Sequence, residues 1–156
     1  MRPAAELLRP LRLAATAAIL AVGASAAWAQ FTMVPVPMQS NAVPSEAETP
    51  VDYRRDAAKH VYASFPMRIY RGKMPPLLYG VAIVEVEVDA EGKVIDVRLR
   101  RQPAAPEVGP WVLAMVRRAA PFPVPVKLGE KVVFSEIWLV DKGGNFQLDT
   151  LTEGQR

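Results

Sequence analysis

His60 is the only histidine among 156 residues, so acid–base or metal chemistry has to be sought there first. A catalytic histidine needs a nucleophile or carboxylate with which to exchange a proton, and a ligating one needs further donors. In VDYRRDAAKHVYAS it falls on the polar side of a helical repeat and reads as a solvated side chain. The serines beyond residue 29 are Ser40, Ser45, Ser64 and Ser135, and none stands in a G-x-S-x-G elbow or beside a plausible base. Asp89 and Glu91 are too close together to offer the spaced oxygens of a calcium loop, and read as turn and solubilising residues. Gly143 and Gly144 are not followed by G-K-[ST], so they mark a turn rather than a phosphate cradle. Glu85 and Glu87 alternate at strand spacing, which places them on a solvated face neutralised by arginines. No cysteine is present, excluding disulfides, thiolate metal sites and a lipidated cysteine. The reading is of a protein that is not an enzyme, with no catalytic residue, cofactor or metal site.

The elements that position these residues follow from periodicity. Residues 51–64 repeat Tyr53, Ala57 and Val61 at helical spacing, with Pro66 as a stop. Residues 81–88 switch to a period of two, with Ala82, Val84, Val86 and Val88 on one face. Asp89-Ala90-Glu91-Gly92 is a turn, and residues 93–101 return as a second strand with Ile95, Val97 and Leu99 inward. A four-residue loop sets Val86 opposite Ile95 and Val84 opposite Val97, and brings Glu85 diagonally toward Arg98. Residues 107–120 form a second helix whose stripe is Val108, Trp111, Val112, Met115 and Ala119; Pro121 ends it. Residues 131–141 form a third strand, rich in β-branched and aromatic side chains, and 146–148 are a candidate fourth. The fold class is α+β: a small, mainly antiparallel sheet of three or four strands with two helices packed on one face. Trp111, Phe122, Phe134 and Trp138 read as core, with Phe122 or Trp138 as candidate walls of a peptide groove. Arg98, Arg100, Arg101, Arg117 and Arg118 read as a salt-bridged surface.

The first 29 residues have the three parts of an export signal. Arg2, Arg9 and Arg12 precede a short apolar run, LAATAAILAVGA, which ends in the small-residue motif Ala27-Trp28-Ala29. Signal-peptidase cleavage leaves Gln30 first. It also removes three arginines and Glu6, taking the formal charge from +3 to +1, so there is no electrostatic case for nucleic acid. The mature chain has no segment for stable membrane insertion. The competing reading retains residues 11–28 as an anchor in the inner membrane, facing the periplasm. Residues 30–50 carry Pro35, Pro37, Pro44 and Pro50 and read as a tether of about 65 Å when extended. Residues 51–149 are the single domain, and 150–156 a polar tail loose at its end.

Three runs in order, GVAIVEVEVDAEGKVIDVRL, RRAAPFPVP and VVFSEIWLVDKGGNFQL, resemble the C-terminal domain of the TonB energy-transducer family. The resemblance covers about residues 65–148, with Phe65-Pro66 matching an aromatic-proline motif ahead of the first strand. It implies a periplasmic domain that takes an extended peptide of an envelope or outer-membrane protein as an added strand. The edge it implies is residues 131–141, with Val133, Ser135, Ile137, Trp138 and Leu139 as the peptide-binding positions; a strand at 146–148 would cover part of that edge. Two features depart from a full transducer: the apolar run has no histidine, and a 21-residue spacer is too short to cross the periplasm. The expectation is therefore a soluble periplasmic binding or adaptor protein. The alternatives are a membrane-anchored transducer for outer-membrane transport and an envelope hydrolase.

Overall fold

The structure, a computed structural model, describes residues 29–37 and 42–155. The leader through Trp28, with Ala27 of its cleavage motif, and Ser40 lie outside these residues.

Alternation in burial builds the sheet. Strand β1 (Gly80–Asp89) buries every second residue from Gly80 through Val88, and β3 (Lys131–Val140) buries the even positions from Val132 through Val140. β1 pairs with β2 (Val94–Arg101) on one side and along the whole of β3 on the other. A three-residue β4 (Phe146–Leu148) pairs with residues 138–140, so the open antiparallel sheet runs β2-β1-β3-β4. The α+β expectation holds, with the candidate fourth strand present.

Two helices cover the face formed by the even residues of β1 and β3. In α2 (Pro50–Ser64), Thr49 caps the first turn by accepting the Asp52 N–H at 3.1 Å, and Pro50 sits where its missing N–H costs nothing. Tyr53, Ala57 and Val61 are buried as their spacing predicts. The helix α3 (Val108–Arg118) lies over β1 and β2 and buries Trp111, Val112, Met115 and Val116. Phe146 joins the layers: its ring lies 4.6 Å from Trp138 and 6.4 Å from Trp111. Burying such aromatic side chains stabilises the fold by about 2–3 kcal/mol each.

The hairpin register corrects the sequence expectation. Val84 faces Leu99, Val86 faces Val97, and Glu85 stands directly opposite Arg98 rather than diagonal to it. The Asp89 N–H donates to the Lys93 carbonyl at 2.9 Å and the Gly92 N–H to the Asp89 carbonyl at 3.1 Å, which closes a tighter turn. The pairing then breaks between Val94 and Asp96, leaving Ile95 as an extra bulged residue, 54% exposed instead of inward. Gly92 has φ +83°, and a Cβ there would lie 2.2 Å from the Phe122 carbonyl oxygen, so both torsion and space demand glycine.

Both ends of the described chain are tied down more firmly than expected. The segment read as a tether contains a short helix, α1 (Ala29–Thr32), whose Phe31 enters the core between Tyr79 and Trp111. Ser45 bridges to Pro125 further along. The tail is held by buried Gln147, whose amide donates to the carbonyls of Tyr70 and Gly72 and whose oxygen accepts from Thr152 and Glu153. Met74 takes the Gly154 carbonyl, so the tail packs against the 69–79 connection through residue 155.

Candidate functional site

Along β3, successive residues send their backbone groups to opposite sides of the strand. The Val140 carbonyl accepts from Tyr79 on the β1 side, and the Asp141 N–H donates to Asn145 on the β4 side. Even residues therefore face β1, and the N–H and C=O of residues 131, 133, 135, 137 and 139 face outward. β4 covers only 138–140 of that outward edge. Among the described residues, no strand pairs with 131–137 on that side, and Val133 and Ser135 are exposed.

The five edge residues chosen from the sequence thus divide into four kinds. Val133 and Ser135 lie on the open stretch. Ile137 is half-buried, and its N–H already donates to Glu136 Oε1 at 2.9 Å. Leu139 pairs with Gln147 in β4. Trp138 is 1% exposed beneath Phe146, so it is core and cannot line a groove; Phe122, equally buried, is core too. Of the five, two are available to an incoming strand.

Glu136 is the residue that sequence reasoning missed. It is 3% exposed on the core face of β3, at the point where the open edge meets the covered one. Its carboxylate accepts from Arg54 Nε at 3.3 Å, from Arg54 Nη2 at 3.4 Å, and from the N–H groups of Ile137 and Thr150. Arg54 also reaches Asp149 at 3.5 Å. An inward-facing charge of this kind ends strand pairing locally, because the Ile137 N–H, one of the outward groups of the lane, is already donated to Glu136 and cannot meet an incoming carbonyl. β4 leaves the edge at this carboxylate, through the single turn of helix at Asp149–Leu151. About five residues of β3, 131–135, remain as a lane roughly 17 Å long. Lys131 at its far end donates to Glu87 at 2.8 Å, which raises the Lys131 pKa.

The opposite edge, β2, is bulged at both ends and strongly charged. Arg98 pairs with Asp96 and, at 3.7 Å, with Glu85; Arg100 reaches Glu85 at 3.6 Å. Bulges and charges of this kind discourage pairing. The Glu85 expectation is realised as these surface ion pairs.

His60 is 6% exposed, a correction to its reading as solvated. Its Nε2 lies 2.7 Å from the Ala119 carbonyl, which can only accept, so that nitrogen carries the proton. A groove of about 320 Å³ is lined in part by His60, Asp56 and Lys59. Ser45, buried nearby, directs its hydroxyl to Asp56 at 2.7 Å rather than to the histidine, and Ser64 donates to the His60 carbonyl at 2.9 Å. The three side chains of a nucleophilic triad are each engaged, but not with one another in the order that such a triad requires. Ala29 and Gln30, flanking the expected cleavage bond, are the first two residues of α1. Among the described residues, no helix is long and apolar enough to cross a membrane.

No family model, no curated protein and no solved structure matches this chain.

Proposed function

We propose that the mature chain is a soluble periplasmic binding or adaptor protein, similar to the C-terminal domain of TonB, that captures an extended segment of an envelope or outer-membrane protein. The segment adds as a strand to residues 131–135 of β3. One observation carries this reading: among the described residues, the outward backbone groups of Val133 and Ser135 have no neighbouring strand, although β4 occupies the same lane a few residues on. Main-chain bonds supply such an interaction, and it asks for no catalytic group.

The anchored-transducer reading is weakened by Phe31. With that ring buried, the stretch read as a tether no longer runs freely from Gln30, and an uncleaved chain would hold the domain within a few residues of its anchor. The hydrolase reading is weakened because Ser45 donates to Asp56 and not to His60, whose Nε2 is held by the Ala119 carbonyl.

Ser135→Pro tests the edge. It removes an outward N–H and leaves the β1-facing ladder intact, because residue 135 does not donate to β1. The mature protein is exposed to detergent-solubilised envelope, and what it retains is compared between the wild type and the variant. Loss of the retained partner in a folded Ser135→Pro protein is expected; unchanged retention excludes this edge.

A further inference from the structure

The bond expected to be cut by a signal peptidase, Ala29–Gln30, lies inside a folded element. Ala29–Thr32 is a turn of helix, and Phe31, only one residue beyond Gln30, is 7% exposed. Its ring stacks on Tyr79 at 5.7 Å and meets Trp111 edge-on at 5.3 Å. Arg118 then straps the following residues down, donating from Nη1 to the Val34 carbonyl and, at 3.4 Å, to the Pro35 carbonyl. Proteases act on locally opened, extended chain, and a helix with its third residue seated in a core is neither.

We propose that seating of residues 29–35 against α3 and Tyr79 competes with removal of the leader, so that folding sets how long the chain remains open to cleavage. This rests on the reading of residues 1–29 as a cleaved leader and adds to it a regulation of that same site. The chemical step is ordinary hydrolysis: a membrane-bound signal peptidase adds water across the Ala29–Gln30 amide. It leaves a carboxylate on Ala29 and an ammonium on Gln30. Once the domain has folded, the rate follows the fraction of chains with the strap lifted, since reclosing of so short a segment is fast compared with cleavage. Chains cut before seating are released; chains that seat first keep the leader longer and stay at the membrane. One sequence thereby divides between the two locations that its leader allows.

The test uses variants remote in sequence from the scissile bond, because Phe31 lies close enough to it to touch the peptidase directly. Arg118→Ala removes the strap's hydrogen bonds and Tyr79→Ala removes one side of the Phe31 seat. Pulse-labelled full-length chains exported in a Gram-negative host are followed from precursor to mature form. Amide exchange at residues 31–34 is measured separately on a purified chain beginning at Gln30. Both variants are expected to speed exchange there, and to shorten the slow phase of processing by about fivefold, the factor that corresponds to roughly 1 kcal/mol of lost hydrogen bonding or ring stacking. Processing at the wild-type rate despite faster exchange overturns the coupling. Unchanged exchange overturns it as well, since these contacts then do not hold the strap. Absence of cleavage at Ala29–Gln30 in every chain defeats the leader reading itself, an outcome distinct from cleavage at equal rates.

Discussion

Glu136 shows how one side chain can define where an edge is open. Its position was readable from parity: Val132, Phe134, Glu136, Trp138 and Val140 form the inward set, and a charge in that set is the irregularity that marks a strand terminus or a partner. What parity could not supply was the partner, because Arg54 lies 82 residues away. Glu136→Ala leaves the N–H groups of Ile137 and Thr150 without their acceptor and Arg54 without its main counter-charge. Since Arg54 is partly solvated, the loss is expected to be about 2 kcal/mol, read as a lower urea midpoint. Tyr53 sets a second expectation. Burial, reinforced by the Asp56 charge, pushes its phenol well above the ordinary value, and its hydroxyl donates to the Pro123 carbonyl at 2.7 Å. A folded-state pKa above the unfolded one contributes stability that is full below about pH 10 and is lost as pH rises beyond it. Tyr53→Phe is therefore expected to cost about 1 kcal/mol at pH 8, through the orphaned carbonyl, with the gap to wild type narrowing at pH 11. Urea midpoints at the two pH values check this; a gap that widens contradicts the assignment.

At the scale of elements, the strands and both long helices were readable because each has a clean period and a clear stop. Thr49-Pro50 starts α2, Pro66 follows it, and Gly92 punctuates the hairpin. Register was not readable, because it depends on backbone bonds within the turn. Closure of Asp89 onto Lys93 shortens the loop and moves Val84 opposite Leu99, expelling Ile95 into a bulge. His60 was misplaced for a related reason. The set Tyr53, Ala57, His60 and Ser64 has the same helical spacing as the apolar stripe, so the buried face is wider than hydrophobic residues alone suggest. Gly92→Ala tests the hairpin as a unit. It forces a Cβ onto the Phe122 carbonyl oxygen at a positive φ, and a loss of roughly 2 kcal/mol or more in denaturant unfolding is expected. A near-neutral result would mean that the turn can reclose without its contact to residue 122.

For the molecule as a whole, the ends were the least readable part. Proline-rich and polar segments look unstructured because their own composition buries little, yet Phe31 and Gln147 recruit them into the domain through contacts distant in sequence. The result is a domain with charged, bulged β2 on one side and, on the other, a β3 edge covered by β4 and tail at one end and open at residues 131–135. That asymmetry is the basis for proposing a binding rather than a catalytic role. The most direct test is amide hydrogen exchange on the mature protein, free and then bound to whichever envelope partner it retains. Fast exchange at Val133 and Ser135 in the free protein, slowed at least tenfold in the complex while β2 is unchanged, is the predicted outcome. Protection that appears along residues 94–101 instead, or nowhere on the sheet, would contradict strand addition at β3.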